Sequence, residues 1–236
     1  MADSEEPFRR GMVIMAHPDD AEWSCSGTVA KWCAEGWEVV YILCTDGSKG
    51  SSDPEMTSEK LVKIREQEQR NAGKILGLKD IVFLGYPDAY LEPTLELRKD
   101  IAREIRRYKP DVVICGTASR QLHSNYLGHP DHFASGEAAM AAVFPTARDR
   151  LTFPELLDEG LDPHNVREVW VAGGGDGSDQ FVDVAEYMDT AVKALKAHVS
   201  QVDQENAGEW FRQGRIRTGE KVGMAYAEGF KRIRLG

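Results

Sequence analysis

The sequence lacks the features of membrane, nucleic-acid-binding and disulfide-stabilised proteins. No apolar run reaches 18 residues, the length at which a membrane-spanning helix becomes a candidate. The chain carries 39 acidic and 29 basic residues, so it has no excess of the lysine and arginine that bind phosphate backbones. Its four cysteines form no C-x-x-C pair, which argues against a thiolate zinc site or a disulfide framework. Because the N-terminal residues are polar and acidic, without an apolar signal region, we expect a cytoplasmic protein.

A glycine-rich dinucleotide fingerprint is missing as well. The first apolar run is followed by AHPDD, where such a domain would have G-x-G-x-x-G. The later stretch AGGGDGSDQ (172–180) places Ser178 where the third glycine of that motif would stand. We therefore exclude a plain dinucleotide-binding domain and predict that 172–180 is a loop at the border of a pocket.

Apolar runs alternate with helical segments along most of the 236 residues. The pattern predicts strands at about 11–16, 37–45, 80–85, 110–116 and 166–173, with helices at about 24–36, 58–76, 93–108 and 130–143. This alternation predicts a single α/β domain over residues 1–236, with a mostly parallel sheet covered by helices on both faces. The last part, about 202–236, is weakly periodic and is interpreted as an extension packed on the domain, with a short helix around 218–229.

The carboxyl ends of the predicted strands carry the polar clusters. AHPDD (16–20) ends the first strand, TDGSKG (45–50) follows the second, and GYPDAY (85–90) follows the third. The fourth leads into the polar loop 117–132, where His123 is expected at the mouth of a pocket. Ligands of open parallel sheets bind outside the carboxyl ends of the strands, so the sequence predicts a binding site at this edge.

Two histidine–aspartate motifs, HPDD (17–20) and HPDH (129–132), belong to this predicted edge. The H-x-x-D spacing lets a tight turn aim its histidine and last aspartate at one point. The H-x-x-H spacing places both histidines side by side on the first turn of a helix. A catalytic zinc takes three nitrogen or oxygen ligands and keeps a fourth position for water. Each motif alone also fits a helix N-cap turn with aspartates against the helix dipole, but two motifs at one edge favour a metal site.

A metal site would give the two adjacent aspartates different tasks. A dication offsets the repulsion between Asp19 and Asp20, with Asp20 as a ligand and Asp19 as the base that accepts a proton from water. His129 is placed to stabilise an oxyanion or to protonate a leaving amine. Asp131 and Glu22 are candidates for groups that hydrogen-bond a ligand imidazole and orient it. Glu22 equally fits a first helical turn, where its charge meets the helix dipole.

The two histidine motifs and several other stretches of the sequence resemble a known protein family. AHPDDAE and GHPDH resemble the paired motifs of the PIG-L/LmbE-like zinc de-N-acetylases. TDGSKG, REQEQRNAGKILG, GYPDAYL and KALKAHVSQ are similar to later loops and helices of that family. The resemblance spans about residues 11–201 and rests most firmly on the pairing of the two histidine motifs.

The resemblance implies a Rossmann-like α/β fold, with zinc or another divalent metal such as Fe²⁺ bound by His17, Asp20 and His132. It also implies Asp19 as general base and His129 as the group that supports the oxyanion and the leaving amine. The reaction would be hydrolysis of an N-acetyl group from an N-acetylglucosamine-type amino-sugar derivative, which releases acetate and a free amine. A homo-oligomer is a further expectation from the resemblance.

Arg65 and Asp88 fall where members of this family contact their substrate. From the sequence pattern alone, Arg65 also fits an ion-pair partner on a charged helix, and Asp88 a turn aspartate. His198, in KALKAHVSQ, is interpreted as a core histidine. The competing functions are a metal-dependent phosphoesterase, which usually needs ligands for two metals, and a metal- or sugar-binding protein without turnover. The presence of Asp19 and His129 argues against the second.

Overall fold

The computed structural model describes residues 8–120, 127–173 and 177–235. His123 and the centre of the loop 172–180 therefore lie outside the described residues. Within these ranges the strands are β1 (Arg10–Met15), β2 (Glu38–Thr45), β3 (Asp80–Tyr86), β4 (Val112–Cys115), β5 (Glu168–Ala172), β6 (Gln180–Asp183) and β7 (Ala227–Arg234). The helices are α1 (Asp20–Ala34), α2 (Ser58–Leu76), α3 (Leu95–Tyr108), α4 (Pro130–Ala141), α5 (Glu155–Asp158), α6 (Met188–Leu195) and α7 (Ala207–Glu220). A π turn lies at Ala142–Thr146 and a 3-10 turn at Ala185–Tyr187.

All seven strands form one sheet in the order β3-β2-β1-β4-β5-β7-β6. The first five run parallel, and β1 lies between β2 and β4, with Val13 opposite both Tyr41 and Ile114. β7 is antiparallel to both β5 and β6. The mostly parallel sheet that the strand–helix alternation predicts is therefore confirmed.

Helices cover both faces of this sheet. Side chains alternate along β1, so that Val13 and Met15 join one buried cluster while Met12 and Ile14 join the other. The first cluster packs under α1, α2, α6 and α7, and the second packs under α3 and α4. No helix in the described parts of the chain is long and apolar enough to cross a membrane.

The C-terminal segment differs from its prediction. The prediction of a short helix around 218–229 is wrong, because α7 ends at Glu220 and the chain enters β7 at Ala227. β7 lies between β5 and β6, so the segment supplies an internal strand of the sheet. The alternation that would reveal this strand is obscured because Glu228, a charged residue, is buried beside Ala227.

Local sequence signals explain the boundaries of the helices that frame the site. Thr57 caps the start of α2 by accepting a hydrogen bond from the Lys60 amide, and Gly77 ends it in the left-handed conformation. α4 begins at Pro130, where the missing amide costs nothing. α1 begins at Asp20, four residues before its predicted start, and so includes the end of the first histidine motif.

Candidate active site

Both histidine motifs lie at the carboxyl edge of the sheet, as their positions after β1 and β4 predict. The turn after β1 is closed by the His17 amide, which donates to Asp20 Oδ2 at 2.8 Å. Asp19 has φ of 95°, a left-handed conformation that aspartate tolerates better than most residues and that recurs at functional sites. β1 and β4 are neighbours, so this turn meets the start of α4, which carries His129 and His132.

The side chains of His17, Asp20 and His132 converge at this edge. His17 Nδ1 lies 3.3 Å from Asp20 Oδ2, and His132 Nε2 lies 3.1 Å from Asp20 Oδ1. One ligand atom from each residue lies within 4.8 Å of the others. Two imidazole nitrogens and a carboxylate are donors that suit zinc, and three protein ligands leave a fourth position open. The donor set therefore fits a catalytic divalent metal.

The pKa shifts of the site's ionisable groups also favour a bound cation. Burial lowers the pKa of His17, but its contacts with Asp20 and Asp88 outweigh burial and raise that pKa to about 10. Burial opposes ionisation of Asp20, yet hydrogen bonds with His132 and His17 hold its pKa well below the usual range. The cluster thus favours a positive charge among its carboxylates, and a bound dication would supply it.

The second ring nitrogen of His17 contacts two other carboxylates. His17 Nε2 lies 3.0 Å from Asp88 Oδ1 and 3.3 Å from Asp131 Oδ2. Asp88 is 3% exposed, and its other oxygen accepts a hydrogen bond from the Lys49 amide at 2.9 Å. Burial raises the pKa of Asp88, but the hydrogen bonds from His17 and Lys49 lower it to about 2. The sequence predicts a substrate contact for Asp88, whereas in this structure its carboxylate contacts the imidazole of His17.

Asp131 is fully buried and holds two segments of the site together. Its Oδ2 accepts from the Ala89 amide at 2.8 Å, and its Oδ1 accepts from the Leu91 amide at 3.3 Å. These bonds tie the loop after β3 to the start of α4. The contact with His17 Nε2 places Asp131 where a residue that orients an imidazole would lie.

His129 occupies the N-cap of α4, next to the converging side chains. Its Nδ1 accepts a hydrogen bond from the Asp131 amide at 3.3 Å, so the neutral ring carries its proton on Nε2. Burial and the neighbouring charge of His17 lower the pKa of His129. The rings of His17 and His129 pack edge to face, with centroids 4.7 Å apart. His129 can therefore cap α4 and also take part in the reaction, because capping uses only Nδ1 and leaves Nε2 available.

Asp19 is partly buried beside an arginine and a glutamine from α2. Its Oδ2 lies 3.6 Å from Arg65 Nη2, and its amide donates to Gln69 Oε1 at 3.2 Å. Burial and the charge of Asp20 raise the pKa of Asp19 to about 7, although Arg65 opposes the shift. A carboxyl group with this pKa can exchange a proton near neutral pH.

Arg65 is 4% exposed and links the loops that follow β1 and β2. Its guanidinium donates to the carbonyl of Pro18 at 2.6 Å and to the carbonyl of Gly47 at 3.0 Å. Gly47 has φ of 65°, and a Cβ there would lie 2.9 Å from Arg65 Nη1. Gly47, the first glycine in TDGSKG, is thus required both by backbone conformation and by the close approach of the arginine.

Sequence reasoning missed a buried polar network behind Asp19. Gln69 Nε2 donates to Glu22 Oε1 at 2.9 Å, and Glu22 Oε2 lies 3.2 Å from His198 Nε2. Gln69, Glu22 and His198 are all fully buried. The interpretation of His198 as a core histidine is confirmed, and Glu22 contacts this network rather than a histidine of the converging set. The spacing of Arg65 and Gln69 (i, i+4) could have revealed Gln69, because it puts both on one face of α2.

A cavity of about 450 Å³ opens beside the converging side chains. Asp20 and His132 form part of its wall, and Trp23, Leu127 and Phe133 add apolar surface. Most of the remaining described lining is small or hydroxyl-bearing. Trp23 therefore faces the site, while the other tryptophans near α1 pack in the fold: Trp32 stacks on Trp37 at 4.6 Å between ring centroids.

Comparisons with known proteins find deacetylases among the similar chains. Diacetylchitobiose deacetylase of Thermococcus kodakarensis is 32% identical over 232 residues, which cover 96% of this chain and 85% of the relative. A probable N-acetyl-alpha-D-glucosaminyl L-malate deacetylase 2 of Bacillus anthracis is 29% identical, with 82% of this chain and 81% of the relative covered. The solved structure of N,N'-diacetylchitobiose deacetylase from Pyrococcus horikoshii, in complex with its inhibitor MPG, superposes with a TM-score of 0.88 at 30% identity. That superposition covers 96% of this chain and 84% of the other.

The two histidine motifs also lie within the part of the chain that a family profile matches. The profile is that of the GlcNAc-PI de-N-acetylases, PIG-L, and it matches residues 12–143, more than half of the chain. The relatives named above are deacetylases, and their similarity extends well beyond this range. The family predicted from the sequence motifs is therefore confirmed: this chain is a member of the PIG-L family of de-N-acetylases.

Proposed function

We propose that the protein is a zinc-dependent hydrolase that removes the N-acetyl group from an N-acetylglucosamine-type derivative. Water adds across the amide, and the products are acetate and a free amine. The observation that carries the proposal is the convergence of His17 Nδ1, an Asp20 carboxylate oxygen and His132 Nε2 at the carboxyl edge of the sheet. The names of the relatives supply the N-acetylglucosamine-type substrate class.

His17, Asp20 and His132 are the residues proposed to hold the metal. Zn²⁺ at this position would supply Lewis acidity towards the amide carbonyl and the attacking water. Two histidines and a carboxylate also suit Fe²⁺. Zinc is proposed because the reaction is a hydrolysis without redox change, for which a site of three protein ligands and an open position is typical of zinc. Asp131 and Asp88 hold the ring of His17 from its other nitrogen, which fixes the direction of Nδ1.

Asp19 is proposed as the general base. Its pKa of about 7 lets the carboxylate accept a proton from water near neutral pH and release it later in the cycle. Arg65 and Gln69 hold it from the side of α2, one near its carboxylate and the other at its amide. The strained backbone at Asp19 and the engaged amide both restrict the direction of the side chain.

His129 is proposed to support the tetrahedral intermediate and the leaving amine. A neutral ring whose Nδ1 is used by the Asp131 amide presents Nε2–H as a hydrogen-bond donor. Such a donor stabilises negative charge that develops on the carbonyl oxygen. To protonate the leaving amine, the ring must first take up a proton, and the proton that Asp19 accepted from water is the available source. The lowered pKa of His129 keeps the ring neutral before reaction.

Substrate contacts complete the proposal. Arg65 and Asp88 are retained as predicted contacts with the amino sugar, although their polar atoms bond within the protein in this structure. The cavity beside Asp20 and His132 offers an aromatic surface, Trp23, suited to a sugar ring. We also propose a single domain, a homo-oligomer and a cytoplasmic location; light scattering of the purified protein tests the oligomer.

The experiment combines metal analysis with product release. The purified protein is assayed for zinc, then incubated with a panel of N-acetylglucosamine conjugates, and both acetate and free amine are measured. We expect about one zinc per chain and equal release of both products, with loss of activity after chelation and recovery with zinc. Bound zinc without product from any conjugate would favour a binding protein, and hydrolysis of a phosphate ester alone would favour a phosphoesterase.

A further inference from the structure

Helix α1, which carries Asp20 in its first turn, is broken at Cys25. The backbone there has φ of −149° and ψ of 17°, outside the helical region, so residues 20–24 form a short turn joined to the main helix. At such a break, amides on one side and carbonyls on the other need partners from elsewhere in the fold. The direction of the turn that holds Asp20 therefore depends on what those partners are.

The amides after the break are bound by a carboxylate from the far end of the chain. Glu228, on β7, accepts from the Gly27 amide at 3.1 Å and from the Thr28 amide at 2.7 Å, one with each oxygen. It is 3% exposed. A Cβ at residue 27 would lie 2.8 Å from Val184 Cβ, so only glycine permits this close approach of α1. Glu228 thus serves as the cap of the main part of α1.

The carbonyl before the break is bound by an arginine that also holds this carboxylate. Arg215, on α7, donates through Nη2 to the Trp23 carbonyl at 2.6 Å and to Glu228 Oε1 at 3.0 Å. Its guanidinium also packs 3.6 Å from the centroid of the Phe211 ring. The pair therefore spans the break, with Arg215 on the Asp20 side and Glu228 on the main helix.

We propose that Arg215 and Glu228 are positioning residues for the active site. They act through the break in α1 and set the direction of the turn before it. This turn carries Asp20 and also Trp23, which lies at the wall of the cavity. Both lie outside residues 12–143, the part matched by the family profile. The inference rests on the proposed role of Asp20 as a metal ligand.

The test replaces Glu228 by a side chain of the same shape. Glu228→Gln can accept from only one of the two amides and no longer balances the charge of Arg215. We expect kcat for acetate release to fall roughly tenfold or more, with KM within about twofold, because the reacting groups are misplaced while substrate contacts remain. Zinc affinity should fall as well. Arg215→Lys, which keeps the charge but lacks the fork that reaches both partners, should give a similar kcat loss.

Glu168→Gln is the matched control. Glu168 is 4% exposed, begins β5, and is held by Arg232 on β7 at 2.8 Å, at the edge of the sheet away from the site. It should lose stability while kcat stays unchanged. A kcat loss in Glu228→Gln and Arg215→Lys, but not in the control, supports the proposal. Unchanged kcat in both site variants, or losses that follow stability equally in all three, would overturn it.

Hydrogen exchange separates this proposal from the proposed function. Faster exchange of the peptide containing residues 20–28 in Glu228→Gln than in Glu168→Gln supports a clamp at the break, whatever the protein hydrolyses. Unchanged exchange overturns the clamp even if the wild type is an active deacetylase. An inactive, metal-free wild type would instead contradict the proposed function.

Discussion

His17 and Asp88 are joined through His17 Nε2 and Asp88 Oδ1, 3.0 Å apart, while Nδ1 of the same ring faces Asp20. A histidine that binds a metal through one nitrogen usually donates from the other to a carboxylate, which fixes the ring. Asp88 is the carboxylate in that position here, so we expect its replacement to weaken metal binding first. The family resemblance instead predicts a sugar contact, and the two roles have different consequences.

Asp88→Asn tests which role dominates. We expect zinc affinity to fall roughly 10- to 100-fold, because the amide replaces a charged partner of His17. Competition with a chelator of known affinity measures the change. Asp111→Asn is the control, because Asp111 is also buried but accepts the Arg9 and Arg10 amides at the opposite end of β1. A raised KM with unchanged zinc affinity would favour the sugar contact.

Gln69→Met should lower kcat by roughly tenfold while zinc stays bound. The substitution keeps the size of the side chain but leaves the Asp19 amide and Glu22 without their shared partner. Steady-state kinetics on metal-analysed protein measure the effect. Gln67→Met, on the same helix, removes only an exposed contact with Asn71 and should leave kcat unchanged. Equal rates in both variants would show that the network does not position Asp19.

The sequence was sufficient for the parts of the site that lie within a few residues of each other. His17 and Asp20 share one turn, and His129 and His132 share one helical turn, so their spacing predicts their proximity. Strand order then brings the two turns together, because parallel strands expose their carboxyl ends at one edge. The parallel core of the fold follows from the same alternation of apolar runs.

Contacts between distant segments were not predictable in this way. Glu228 bonds to amides 200 positions away, and nothing in its neighbourhood signals a buried carboxylate in a strand. The break at Cys25 is likewise a tertiary effect, since residues 24–36 read as one regular helix. Gln69 is an exception, because it lies four positions after Arg65 and this spacing predicts that both side chains lie on the same face of α2.

Arg106→Ala should lower the free energy of unfolding by about 3 kcal/mol. Arg106 is fully buried and donates to the carbonyls of Thr146, Ala147, Asp149 and Thr152, which would lose their donor. Chemical denaturation measures the change. Arg107→Ala is the matched control, since this exposed neighbour bonds only Glu104 among the described side chains and should cost much less. Similar losses in both variants would contradict the account of Arg106.

Glu168→Gln should change the pH dependence of stability on the acid side. Burial raises the pKa of Glu168, but hydrogen bonds from Arg232 and Trp170 outweigh it and lower that pKa below the usual value. A lowered folded-state pKa stabilises the protein above the unfolded value, near pH ~4.3, and the contribution disappears as pH falls. The stability difference between wild type and variant should therefore be largest above pH ~5 and shrink towards pH ~3. Thermal unfolding at several pH values measures it, and a difference that grows on acidification would contradict the assignment.

Asp20 is proposed to bind the metal, while its neighbour Asp19 is proposed to accept the proton from water. Asp19→Asn is the most direct test, because asparagine keeps the shape and tolerates the left-handed backbone at this position. Zinc content and acetate release are measured on the same preparation. We predict about one zinc per chain, as in the wild type, and a rate of acetate release that falls roughly 10²- to 10⁴-fold. A variant that binds zinc and still releases acetate at nearly the wild-type rate would contradict the account.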